Sequence, residues 1–318
     1  MTPPIDWLSK LLTMMPVTGR LDVRCFYAAP WQIAYDNSEP GVLPFHVVLG
    51  GTAQLDDPQG GPARTLTAGD ILILAAGDAH TLRDGSGLAP RAAAYHPGRL
   101  HTISENAGSG DRLDLLCGHF VIPRPHDRIM RRYLPAQLIV RGAPNITSDE
   151  GAVVGEQLAN LVALMRSESD TERLGGAAML NAFCAALFTL SLRLASASEE
   201  GPSGLLALAG HPRLAPALAA MFHEPAHPWT LDELASLCNT SRATFVRHFQ
   251  KTLGRSATDL LLDLRMTVAA NELRKPGVST AAVAEAAGYQ SEAAFQRIFK
   301  QEMGLTPSQW RRSAQAEG

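Results

Sequence analysis

The sequence lacks the marks of a stapled, secreted or membrane-spanning chain. Only four cysteines occur in 318 residues. Cys25, Cys117, Cys184 and Cys238 lie far apart with no CxxC spacing, which argues against a zinc finger or a disulfide scaffold. No uninterrupted apolar stretch reaches the roughly 18 to 20 residues that a membrane span needs. The opening "MTPPIDWLSKLLTMMP" has no cationic head followed by an apolar run and a cleavage site, so the cytoplasm is the expected compartment and no membrane partner is expected. Charge of one sign is not in excess either, with 28 Lys and Arg against 31 Asp and Glu. Divided at residue 200, the front holds 16 basic against 21 acidic residues (net −5) and the remainder 12 against 10 (net +2). A mildly basic tail is compatible with nucleic acid but does not argue for it alone.

What is present is patterned in three blocks. From Leu21 to about Val140, short apolar runs with β-branched residues are broken by turn clusters such as "NSEPG", "DDPQGGP" and "RDGSG", which predicts many strands. Alternation puts Leu21, Val23, Cys25 and Tyr27 on one strand face, and Leu113, Leu115 and Cys117 on another. A β-sandwich or barrel of roughly 120 residues fits. From about 151 to 197 the period changes to that of two helices, the second apolar almost all round and so expected to be buried against the barrel or another subunit. Residues 198–210 contain "SASEEGPSG" and read as a linker. The rest is a compact all-α unit. The expected fold class is therefore mixed with two domains: 1–150 a β-barrel sensor, 151–197 a helical pair that dimerises, 198–210 a linker and 211–318 an all-α domain.

Within that last block one helix is spelled twice. "SRATFVRHFQKTLG" at 241–254 and "SEAAFQRIFKQEMG" at 291–304 share S-x-A-x-F-x-R-x-F-x-x-x-x-G. Ser241 and Ser291 suit N-caps, and Gly254 and Gly304 suit left-handed helix ends. The Phe pairs at i and i+4 stack on one face. Arg247 and Arg297 lie about 200° round from them, hence outward. Each copy follows a shorter helix after three or four residues, the connection of a helix-turn-helix. Between the copies runs a helical segment of about 20 residues, roughly 30 Å long, against the ~34 Å of one DNA turn.

These residues resemble the DNA-binding domain of AraC/XylS-type transcriptional regulators. The similarity runs from about Leu214 to Arg312 and closes on Gly288, Tyr289, Ser291, Phe295, Arg297, Phe299, Lys300, Gly304, Pro307, Trp310, Arg311 and Arg312. The resemblance implies double-stranded promoter DNA and RNA polymerase as partners, and a homodimer. It implies base reading by Ala243, Val246 and Arg247 in the first helix and by Glu292, Ala293, Gln296 and Arg297 in the second. Arg forks onto guanine and Gln onto adenine. Arg242, Lys251, Lys300, Arg311 and Arg312 are implied phosphate contacts, which set register.

The front block, "FHVVLGGTAQL" then "RTLTAGDILILAAGDAHTL", resembles the two halves of a cupin barrel, as in regulators of this family with "RC" in an early strand and "CG" in a later one. Cys25 and Cys117 are thereby redox candidates for the signal. His46 and His80 stand where metal-loaded cupins place ligands, so a divalent metal is a possible cofactor. Two ligands do not close a site, and His96, His101, Cys117 and His119 are the remaining donors. The reading is a sequence-specific, non-enzymatic regulator answering a small-molecule or redox signal. The competing reading is a metal-dependent cupin enzyme with a helical assembly domain, which leaves Arg247 and Arg297 without a purpose.

Overall fold

The computed structural model describes residues 6–123, 126–142, 149–171, 173–197 and 204–316. Two compact units emerge, and they do not follow chain order: one comprises 17–122 with 134–202, the other 1–16, 123–133 and 203–318.

The first unit carries the strands. They are β1 (Thr18–Ala28), β2 (Gln32–Tyr35), β3 (Val42–Gly50), β4 (Thr52–Leu55), β5 (Arg64–Thr67), β6 (Ile71–Leu74), β7 (His80–Arg83), β8 (Ala93–Pro97), β9 (Thr102–Asn106), β10 (Arg112–Val121) and β11 (Gln137–Val140). A seven-stranded sheet has the order β11-β6-β3-β10-β1-β9-β8, and a four-stranded sheet the order β2-β7-β4-β5. The core lies between them: Cys25, Val48, Leu72 and Leu115 come from the larger sheet, Leu55 and Leu82 from the smaller. Leu113, Leu115 and Cys117 share that interior as alternation requires. On β1 the alternation slips. The pairing of β1 with β10 shifts between Leu21 and Val23, so Val23, Cys25 and Tyr27 join the interior cluster while Leu21 is not among its residues. A bulge shifts every side chain beyond it to the other face, which a pattern of letters does not announce. Gly69 and Gly77 take positive φ at the expected turns, and the Asp70 carboxylate accepts from the Thr67 amide at 2.8 Å.

Helices α3 (Asp149–Ser169) and α4 (Gly176–Ala197) complete this unit. α4 is long and apolar enough to cross a membrane by length and composition alone, with a hydropathy of 1.6. It holds no uninterrupted apolar run of that length, because Asn181, Thr189, Ser191 and Arg193 break it, while its Leu, Ala, Phe, Met and Cys keep the mean high. Its packing shows what that apolarity serves. Phe188 meets Phe120 of β10 edge-on at 4.9 Å, and a Cβ at Gly19 of β1 would stand 2.5 Å from the Cβ of Cys184. The helix lies on the sheet, as an all-round apolar helix must lie on something.

The second unit is helical: α1 (Trp7–Met14), α2 (Asp127–Tyr133), α5 (Leu205–Gly210), α6 (Ala215–His223), α7 (Leu231–Leu237), α8 (Arg242–Leu253), α9 (Ala257–Arg274), α10 (Thr280–Ala286), α11 (Glu292–Met303) and α12 (Pro307–Ala316). The linker expected at 198–210 needs amending. Residues 198–203 lie outside the described residues, and 205–210 form α5, because Leu205, Leu206 and Leu208 are fully buried. Residues of the expected sensor also pack here. Trp7 of α1 meets Phe222 at 5.8 Å, and the Asn271 amide donates to the Met14 carbonyl at 2.8 Å. Such long-range packing has no linear signature.

Buried histidines set one stability prediction. Burial first, and the charge of Arg274 second, push His126 down to about 4 from the ordinary 6.5; burial likewise lowers His46, His80 and His101. A depressed imidazole binds its proton in the unfolded chain before it does in the folded one. Stability is therefore full above about 6.5 and falls as pH drops toward 4. Thermal unfolding across that range should show the decline, and His126→Gln should flatten part of it; an unchanged slope would contradict the assignment.

Candidate functional site

The doubled helix folds as its letters require. Ser241 and Ser291 cap α8 and α11, accepting from the amides of Thr244 at 3.3 Å and Ala294 at 3.4 Å. Gly254 and Gly304 close them in the left-handed conformation, at φ 80° and 75°. Phe245, Phe249, Phe295 and Phe299 are fully buried, with ring pairs at 5.2 and 5.5 Å. Thr230 builds a reciprocal cap with Glu233 at the start of α7. Two helix-turn-helix units result, α7–α8 and α10–α11, joined by the 18-residue α9, about 27 Å long at 1.5 Å per residue.

The outward face of each second helix is where the pattern placed it. Arg247 and Arg297 are exposed, and among the described residues neither is hydrogen-bonded or ion-paired. Ala243, Glu292, Ala293 and Gln296 are exposed and Val246 half-buried. Arg242, Ala243, Val246, Arg247 and Lys251 line one open groove along α8. Glu292 acts locally, since its carboxylate accepts from the Gln296 amide at 2.8 Å and so orients that amide one turn on. The phosphate candidates divide. Lys251, Lys300 and Arg312 are exposed, Arg242 sits 3.4 Å from Asp232, and Arg311 donates to the Val278 carbonyl at 2.6 Å. Arg311 is thus tied to the loop before α10.

In the barrel, the other candidates meet. The sulfurs of Cys25 and Cys117 are 3.8 Å apart. Cys117 also lies 3.1 Å from His46 Nδ1 and 3.4 Å from the Tyr35 hydroxyl. His46 Nε2 and His80 Nε2 are 2.8 Å apart, and His80 Nδ1 reaches the Asp78 carbonyl at 3.1 Å. A carbonyl only accepts, so His80 donates from Nδ1 and leaves Nε2 bare. His46 then donates from Nε2, and its Nδ1 is free to accept the Cys117 proton. Burial first, then His80, holds His46 well below the imidazole range, which keeps it a neutral acceptor. Burial pushes the Cys117 thiol well up, and when its single S–H turns from His46 to the Cys25 sulfur it holds the Cys25 thiol below the ordinary value. Arg24 takes no part in this. It is buried on the other face, forked onto Asp114 at 3.1 and 3.0 Å and paired with Asp170.

Tyr35 is not marked by any pattern in the sequence, yet its ring stacks on His80 with centroids 4.6 Å apart. Alternation in the short β2 carries too little pattern to reveal it. Of the further metal donors, Cys117 faces Nδ1 of His46, the nitrogen turned away from His80, while His119 bonds Asp22 and His96 faces Glu105 at 3.2 Å. Among the described residues no group of three His, Cys, Asp or Glu is placed to hold a metal ion, so His46 and His80 do not fit a closed site. Burial pushes Cys184 up to about 12 and raises Cys238; neither lies in this cluster.

A thiol-bearing barrel joined to paired helix-turn-helix units defines a DNA-binding regulator rather than an enzyme. A cupin family model matches residues 6–197 and a helix-turn-helix domain model residues 234–313. The chain is 27 % identical over 307 residues to the RCS-specific HTH-type transcriptional activator RclR of Escherichia coli strain K12, covering 96 % of this chain and 97 % of that protein. It is 26 % identical over 318 residues to the HTH-type transcriptional regulator MtrA of Neisseria gonorrhoeae, covering 97 % and 98 %. Among solved structures, the DNA-binding domain of AdpA in complex with a target DNA is similar at 25 % identity, covering 34 % of this chain and 96 % of that one, with a TM-score of 0.32. The chain belongs to the AraC-type transcriptional regulators that carry a cupin sensory domain.

Proposed function

We propose that this regulator senses a two-electron oxidant at Cys25 and Cys117 and converts it into a change in promoter binding. The observation that carries the reading is the buried thiol pair at 3.8 Å with His46 Nδ1 3.1 Å from Cys117. With a peroxide as oxidant, the Cys25 thiolate attacks one oxygen, the O–O bond breaks, the other oxygen leaves as hydroxide or alkoxide and takes up the proton Cys25 gave up, and Cys25 becomes a sulfenic acid. The Cys117 sulfur then attacks the Cys25 sulfur; its proton passes to His46 and on to the departing hydroxide, which leaves as water. The register makes this disulfide consequential. Cys25 stands opposite Leu115, and Cys117 opposite Val23, so the cysteines are diagonal neighbours on adjacent strands. Bringing their sulfurs to about 2.05 Å requires β1 and β10 to shift against each other.

The remaining parts of the proposal concern assembly. Val153, Leu164 and Met179 expose about half of their surface on α3 and α4, a face suited to a second copy, so the protein acts as a homodimer on paired half-sites. It works in the cytoplasm and contacts RNA polymerase as an activator, the role printed in the name of RclR. Treating the reduced protein with one equivalent of peroxide should give a Cys25–Cys117 disulfide by peptide mass mapping and a change in affinity for promoter DNA. Cys25→Ser and Cys117→Ser should both abolish the change. Inert thiols alongside a protein that still switches would make a small-molecule effector the signal. The alternative occupant, a divalent ion on the facing Nε2 atoms of His46 and His80, would show as stoichiometric metal lost on His46→Ala.

A further inference from the structure

Helix α2 is the segment of the helical unit that chain order places between two strands of the seven-stranded sheet, β10 and β11. Three of its side chains converge on one carboxylate. Asp263, whose side chain is 1 % exposed, accepts from Arg132 Nη1 at 2.9 and 3.1 Å and from the Tyr133 hydroxyl at 2.6 Å, and is ion-paired with Arg128 Nη2 at 2.9 Å. Asp263 belongs to α9, the helix between the two reading heads. Arg128 reaches further: it also donates to the backbone carbonyl and the carboxylate of Glu302, in the last turn of α11.

Arg128 is only 14 % exposed and so is no phosphate contact. Its planar fork joins α9 to the end of the second recognition helix, and a guanidinium shared by two carboxylates fixes direction as well as distance. The first head has no such clamp among the described residues. The end of α8 is met instead by the Gly204 amide, which donates to the Thr252 carbonyl at 3.1 Å. The Phe295 and Phe299 packing on α9 sets the depth of α11, but rings allow rolling that a forked ion pair does not.

We propose that Arg128 is a positioning residue for sequence reading by α11. The proposal rests on DNA reading by α11.

The test measures binding of full-length protein to a labelled duplex bearing the protected tract of its own promoter, and to duplexes with either half-site scrambled. Arg128→Ala should reduce discrimination at the second half-site at least tenfold and leave the first unchanged. Arg128→Lys, which keeps charge but not the fork, should fall between. Glu302→Gln leaves the Asp263 cluster whole and keeps the protein folded should Arg128→Ala fail; a loss of about threefold at the second half-site alone is expected, smaller than tenfold because one of three contacts is weakened. Unchanged discrimination in all three variants would overturn the proposal, and so would equal loss at both half-sites with Lys no better than Ala. Absence of discrimination by the unsubstituted protein would instead remove the DNA-reading premise.

Discussion

Arg297→Ala lowers affinity for the promoter site by about 1 to 3 kcal/mol, the worth of a forked Arg–guanine contact, or roughly 5- to 150-fold. The side chain is exposed on α11, opposite two phenylalanines that are fully buried, so its removal leaves the packing intact. The loss should be sequence-specific: binding to unrelated duplex should hardly change, because the exposed Lys300 and Arg312 remain available to phosphate. Arg247→Ala does the same for the other half-site. The two heads share one rigid spacer but no base contacts, so the losses add to within a few tenths of a kcal/mol. Fluorescence anisotropy at fixed salt measures both, with unfolding curves to confirm that the fold is unaltered.

Phe299→Ala destabilises the helical unit by about 3 to 5 kcal/mol, the usual cost of truncating a buried aromatic ring. Phe299 is 0 % exposed, lies tilted against Phe295 at 5.5 Å and meets Trp310 edge-on at 6.3 Å. Around it lie Met266, Ala269 and Leu273 of α9. Removal opens a void at the joint between spacer and recognition helix. A domain holds only about 5 to 15 kcal/mol in total, so the variant should unfold at much lower denaturant and lose DNA binding with it. Chemical denaturation followed by circular dichroism gives the number; a shift below about 1 kcal/mol would mean that the cavity collapses, against the packing described.

The two helix-turn-helix units are legible in the sequence because every determinant is local. Ser241, Phe245, Arg247, Phe249 and Gly254 stand within one helix, and the 3.6-residue period settles which face each takes. The thiol pair is half legible. Cys25 and Cys117 stand out individually, but their 3.8 Å separation depends on the register of β1 against β10, and the bulge after Leu21 is invisible to alternation. Tyr35 and the Asp263 cluster escape altogether. Asp263 sits among apolar residues of α9, where a carboxylate reads as an interruption of the stripe. Only the fold shows that Arg128, Arg132 and Tyr133, about 130 residues earlier, satisfy it. The α5 helix is hidden for a related reason: its three leucines follow a Gly- and Pro-bearing stretch that dominates the composition.

The central claim is that one chain carries two separate reading heads, and footprinting of the full-length protein on its own promoter tests it most directly. The unsubstituted protein should protect two tracts per protomer, about one helical turn of DNA apart, with Arg247→Ala erasing one and Arg297→Ala the other. A single protected tract, or both tracts fading together in either variant, would contradict it.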